Sequence, residues 1–164
     1  MNRSLFAALV LVFASCRSVE APASARECAE AFVSEMNGGD GEAAFRRVVR
    51  LPEVPEDFYL AGRQATLEKA RDCASGKVRL EVVDFHQHAG GLSACVILRQ
   101  CREGKARLLP VYLLGGRKGW GLAPGLSEIR GLVQHPKISV AEKQSLLDCE
   151  LWQRERRRQL EAAP

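Results

Sequence analysis

With 164 residues, 46% of them hydrophobic and 27% charged, the chain has enough apolar material for one ordinary globular domain and does not belong to the disordered class. A net charge of +4 is too small to imply nucleic acid, and the aromatics are not interleaved with a basic patch as stacking platforms would be, so no nucleic-acid partner is expected.

The chain opens with Arg3, then an apolar run from Leu5 to Phe13 that is too short to span a bilayer stably, then the small-residue site Ala14-Ser15-Cys16. This resembles a bacterial lipoprotein signal. The resemblance implies that residues 1–15 are a signal peptide, that Cys16 is diacylated on sulfur and anchors the chain to a membrane, and that residues 16–25 are a tether. It places the protein in the bacterial cell envelope. Arg17, rather than an Asp, follows the anchor, which points to the outer membrane facing the periplasm. Phe13 departs from the pattern, where Leu is usual. An ordinary secretory cut after Ala23-Ser24-Ala25 is the alternative, and either reading exports the mature chain.

Export changes how the cysteines read, because an oxidising compartment favours pairing. Beyond Cys16 there are five: Cys28, Cys73, Cys95, Cys101 and Cys149. Their spacing contains no C-x-x-C, so no metal site is expected. Cys95 and Cys101 stand six apart on one extended run, about 20 Å, too far to bond to each other. The preferred bridge joins Cys28 to Cys73 across two helices, with Cys149 reaching one of the strand cysteines. The alternative is that most are small buried residues.

Cys28, Phe32, Val33 and Met36 fall at helical spacing, with Ser24 or Ala25 at the start and Asn37-Gly38-Gly39 as the stop. Asp40 can cap a second helix whose apolar residues Ala44, Phe45, Val48 and Val49 run to Leu51-Pro52. A third helix is expected from about Tyr59 to Ser75, carrying Leu60, Leu67, Ala70, Cys73 and Ala74.

From Lys77 to Pro124 the periodicity changes to that of strands separated by Gly-containing turns. Val78, Leu80 and Val82 share one parity, and Val83 and Phe85 the other, which predicts a bulge near Val82-Val83. Along 92–102, Ala94, Val96 and Leu98 take one face and Cys95, Ile97, Arg99 and Cys101 the other. Pro110 within 106–114 predicts an edge or a bulge. Trp120 to Ala123 begins a last short strand, and short turns throughout imply an antiparallel meander.

The stretches AEAFVSEMNGGDGEAAFRRVV and LLPVYLLGGRKGWGLAP give this order a resemblance, over 26–124, to the nuclear transport factor 2-like superfamily and its SnoaL-like branch. It implies an α+β fold, N-terminal helices packed on a curved, cone-like antiparallel meander that leaves a pocket. Members include isomerases, dehydratases and non-catalytic binding domains, so the fold leaves the function open.

For catalysis the suggestive residues are Asp84, His86 and His88, which alternate onto one strand face and could bind a metal or move a proton. The bulge sets that face away from the core, so they are expected in solvent, and no catalytic site or cofactor is assigned. His135, in a loop before Pro136, is a lesser candidate still. Tyr59 and Tyr112 are the pocket candidates, against a plain role in core or rim. No nucleophile motif and no phosphate-binding glycine loop is present.

Residues 125–164 read as a linker and a basic helix. A short helix is expected over 127–133, and Ser139-Val140-Ala141-Glu142 forms a capping box opening a helix to about Leu160. Val140, Leu147 and Leu151, with Trp152 beside them, are expected to dock on the domain. Arg154, Arg156, Arg157 and Arg158 face Glu155 and Glu161 as a solvated run, with anionic lipid as the alternative contact. The resulting expectation is a lipid-anchored domain that binds a small molecule or an envelope protein. The alternatives are an isomerase- or dehydratase-like enzyme using the cone pocket, and an assembly module using the C-terminal helix.

Overall fold

A computed structural model describes residues 24–51, 54–89, 93–116, 119–135 and 138–162. The signal segment, Cys16 and the tether as far as residue 23 lie outside them.

Helix α1 (Ala25–Asn37) starts where Ser24 accepts from the Glu27 N–H at 3.1 Å and the Glu27 carboxylate accepts from the Ser24 N–H at 3.0 Å. It buries Cys28, Ala29, Val33 and Met36. The stop comes at Gly39, whose φ of +83° suits glycine. Asp40 then caps α2 (Gly41–Arg46) through the Ala43 N–H.

Helix α2 is shorter than its apolar spacing predicts. Val48 instead forms a parallel bridge to Leu122, and the Val49 N–H donates to the Leu122 carbonyl at 2.8 Å. Two β-branched residues beside an open strand end lose little by extending. Tyr59, at the first turn of α3 (Glu56–Ala74), straps this segment: its hydroxyl accepts from the Leu51 N–H at 2.7 Å and donates to the Val49 carbonyl at 3.1 Å. Leu60 and Ala74, expected inside, are exposed; Tyr59, Ala70 and Cys73 are the buried residues of α3.

Strands β1 (Val78–Gln87), β2 (Ser93–Arg102), β3 (Lys105–Gly116) and β4 (Gly119–Leu122) form one curved antiparallel sheet in sequence order. Val82 pairs with Leu98 and Asp84 with Ile97, so Val83 is the inserted residue at the parity switch. Strand β4 pairs only with Leu113–Gly116, which leaves Pro110 on an open edge where its missing N–H breaks no ladder.

Both faces of the sheet are covered. On one, Val78, Leu80, Ala94, Val96, Leu98, Leu113 and Leu122 pack with Met36, Val33, Ala70 and Cys73 of the N-terminal helices. Asn37 pins α1 to β1, accepting from the Leu80 N–H at 3.0 Å and donating to its carbonyl at 2.8 Å. On the other face lie α4 (Leu126–Gln134) and α5 (Val140–Ala162), where Ile129, Leu146 and Cys149 meet Cys95 and Tyr112. That double cover explains why β2 is buried without interruption from Ser93 to Leu98.

The expected docking stripe of α5 is overturned. Val140, Leu147 and Leu151 point outward, 84%, 41% and 61% exposed, and Ser145, Leu146, Cys149 and Gln153 are buried instead. The reason lies in what α5 lands on: the outer sheet face offers Asp84, His86, His88, Ser93 and the Val111 carbonyl, and polar groups removed from water need polar partners. Gln153 supplies one by donating to Val111 O at 3.2 Å.

Candidate functional site

The seam between α5 and the outer face of β1 and β2 gathers most of the chain's reactive side chains. Alternation beyond the Val83 bulge sends Asp84, His86 and His88 to this face, as their spacing predicts, but α5 lies over them. Their expected solvent exposure is therefore corrected to a half-buried seam. Both imidazoles donate to one oxygen of Asp148, Oδ2: His86 through Nε2 at 2.9 Å and His88 through Nδ1 at 3.0 Å. These bonds hold the Asp148 carboxyl below its ordinary pKa. The His86 ring also stacks on Trp152, with centroids 5.2 Å apart and planes 15° from parallel.

One turn along, Arg156 donates to Asp84, which also accepts from the Phe85 N–H. Burial pushes the Asp84 carboxyl upward, but the Arg156 bond and the Phe85 N–H outweigh it and leave the pKa lowered. A cavity of about 360 Å³ opens beside this end of the seam, lined by His86, Asp148, Leu151, Trp152, Glu155 and Arg156.

Beneath the histidines the seam becomes fully buried. Ser93 and Ser145 share a short hydroxyl–hydroxyl hydrogen bond, and Ser93 Oγ lies 3.6 Å from Cys149 Sγ. Cys95 Sγ donates to the Cys149 carbonyl at 3.5 Å. Hydrogen bonding from Cys95 lowers the Cys149 thiol to about 7 against its burial, and the same interaction, with burial, raises Cys95. A second cavity, about 210 Å³, adjoins Ser93 and has mostly apolar walls including Leu51, Leu114, Leu132 and Leu146.

Could this arrangement do chemistry? A lowered thiol near an imidazole and a carboxylate has the composition of a nucleophilic site. Its geometry differs. Cys149 is wholly buried. His86 spends Nε2 on Asp148, and Asp148 fills the point where the two imidazoles converge. Among the described residues no group of three or more His, Cys, Asp or Glu is arranged to hold a metal ion.

The other named candidates lie apart from the seam or beneath it. Cys28 and Cys73 stand as free thiols, so the structure does not form the bridge between them; Cys28 Sγ turns to the Trp120 carbonyl at 3.4 Å. Burial raises both thiols, Cys28 to about 11. Cys101 is free and half-buried, and Cys149 lies against Cys95 without a bond. Tyr112 is buried under α4 and α5, and neither it nor Tyr59 lines the two cavities above. Spacing missed Ser145, Asp148 and Arg156 as seam residues, whereas Cys149, expected to reach a strand cysteine, lies against Cys95. Ser145, Cys149 and Arg156 sat in view, with Trp152, as a second helical stripe parallel to the leucines.

No protein-family model matches the chain, and no curated protein matches it. Among solved structures it is similar to a protein named as a candidate NTF2-like transpeptidase from Campylobacter jejuni, at 10% identity and a TM-score of 0.46, covering 60% of this chain and 95% of that one. It is also similar to an NTF2-like protein of unknown function from Cytophaga hutchinsonii, at 14% identity and a TM-score of 0.45, covering 63% and 90%. The α+β arrangement itself follows from the elements and pairings above. Among the described residues no helix is long and apolar enough to cross a membrane.

Proposed function

We propose that this is a lipid-anchored cell-envelope protein whose domain works by binding a protein partner and not by catalysis. The observation that carries this reading is the outward stripe of Val140, Leu147 and Leu151 on α5. Exposed apolar residues aligned on one helix, in a domain that has its own filled core, mark a contact surface. Two further features support it. The space between the N-terminal helices and the sheet, where the family resemblance implies a pocket, is packed with Met36, Val33, Val96, Leu98 and Leu113. His86, His88 and Asp148 are spent on holding α5, so they are not free to act on a substrate.

The anchor rests on the sequence Leu5 to Cys16. A Cys16→Ser chain should leave the membrane fraction and lose fatty-acid labelling; unchanged partitioning, with no label on the unaltered protein, overturns the anchor. The binding role is tested by native extraction and gel filtration. The unaltered chain should run in a larger assembly, and Leu147→Ser with Leu151→Ser should return it to monomer with its melting temperature kept. A monomer in both cases overturns the role.

A second reading, a small apolar ligand, rests on the 210 Å³ cavity walled by Leu51, Leu114, Leu132 and Leu146. A melting-temperature rise with benzene that Leu146→Phe abolishes supports it, and no rise overturns it.

A further inference from the structure

The outward face of α5 carries more information than its leucines. Val140, Gln144, Leu147, Leu151, Arg154 and Arg158 follow one another at intervals of four, three, four, three and four, which is one continuous seam along an α-helix. At about 1.5 Å per residue it runs for about 27 Å. All six residues are exposed. The seam has two halves: an apolar one broken only by Gln144, and a cationic one made of two arginines.

Those arginines are poorly satisfied within their own helix. Arg154 reaches Glu150 at 3.4 Å and Arg158 reaches Glu155 at 3.8 Å, both longer than the roughly 2.7–2.9 Å of a charge-assisted hydrogen bond. Each guanidinium has five N–H donors in a fork that suits a carboxylate. By contrast Arg156, on the inward side, is committed to Asp84.

We infer that this seam takes an amphipathic helix of a partner protein, one whose apolar residues lie against Val140, Leu147 and Leu151 and whose Asp or Glu residues meet Arg154 and Arg158. The inference rests on the proposed binding role and names the partner's chemistry. Charge argues against a second copy of this chain. Parallel pairing would set Arg154 and Arg158 against their own copies, and antiparallel pairing would set them beside Val140 and Gln144, because the seam holds no carboxylate. Width argues against a lipid surface. A helix lying in a bilayer interface buries a broad apolar face, whereas Leu146, Cys149 and Trp152, which would be needed to broaden this one, are already spent on the sheet and α4. A narrow stripe with about one anchor per turn is what helix-in-groove recognition uses.

The test uses the full chain in its native cells, with a photo-crosslinking residue at Gln144 and a control placed at Arg79, exposed on β1. The expected product at Gln144 is a peptide of another protein with apolar residues at helical spacing and Asp or Glu within two turns of them. Arg154→Glu with Arg158→Glu should cut its yield about tenfold, as two interfacial charge pairs turned repulsive would, while leaving the melting temperature unchanged. A crosslink to another copy or to phospholipid, a partner peptide without acidic residues, or a yield indifferent to charge reversal overturns this partner class and leaves α5 as the contact surface. Crosslinking at Gln144 no greater than at Arg79 overturns the surface as well, and with it the proposed binding role.

Discussion

His86 of β1 and Asp148 of α5 stand 62 residues apart in the chain and 2.9 Å apart in the fold. Strand and helix are joined there by a charged hydrogen bond, a second one from His88, and the stacked Trp152 ring. An element held by such contacts responds to substitutions and to pH in ways that a leucine-packed helix does not.

The first consequence concerns the histidines. As surface residues their removal would cost no more than about 0.5 kcal/mol. Because each donates to a carboxylate and His86 also stacks on Trp152, His86→Ala together with His88→Ala should cost about 1–3 kcal/mol. Urea unfolding measures this, and a double mutant within 0.5 kcal/mol of the unaltered protein would show that α5 is held by something else.

The sheet and its order were legible in the sequence because period-two alternation has a direct structural meaning. The Val82-Val83 parity switch located the bulge, and of the two readings Pro110 allowed, an edge or a bulge, the open edge is the one found. Docking of α5 was misread because the sequence offers two parallel stripes on that helix, and apolarity selects Leu147 and Leu151 over Ser145 and Cys149. Only the partners on the sheet, brought together from 60 or more residues away in the case of His88 and His86, make the polar stripe the buried one. Likewise the end of α2 depended on Leu122, which no local pattern around Val48 reveals.

The second prediction is a loss of stability in acid. Asp148 and Asp84 both have folded pKa values below the ordinary 3.8. A depressed carboxyl contributes stability that is fully present above its unfolded pKa and is lost as pH falls through the folded one. Urea midpoints should therefore be level in this respect down to about pH 4 to 5 and decline below it. Asp148→Asn should lower the midpoint at pH 7 and converge with the unaltered protein near pH 2. A difference that stays constant across this range would refute the linkage.

A third expectation concerns the thiols. In the native reduced protein Cys101, the one half-buried thiol among the described cysteines, should be alkylated first. The Cys149 thiol pKa is lowered by hydrogen bonding, but the group is wholly buried, so it should react only when α5 opens. Given a disulfide donor, Cys95 and Cys149 are the neighbours placed to pair, with two hydrogens passing to the donor as its dithiol. Peptide mapping under non-reducing conditions checks both points, and a dominant Cys28–Cys73 bridge would overturn the pairing.

The last prediction tests the strap that joins the N-terminal helices to the sheet. At Gly121 an added Cβ would lie 2.6 Å from Val49 Cγ2 and 2.8 Å from the Arg47 carbonyl. Leu122 next door donates to that carbonyl and accepts from the Val49 N–H, both at 2.8 Å. The clash therefore cannot be relieved by a side-chain rotation alone, because one of its two partners is backbone that must stay in place to keep the bridge. Gly121→Ala should cost about 1–3 kcal/mol. Gly104→Ala is the informative contrast. No atom lies within 4 Å of its added Cβ, so only the strain of its φ of +76° remains, about 1 kcal/mol. Hydrogen exchange at Val49 and Leu122 should rise in the Gly121 variant more than at β2 amides such as Val96. Equal costs for the two substitutions, with exchange at Val49 unchanged, would mean that the extended segment after α2 is not held against β4.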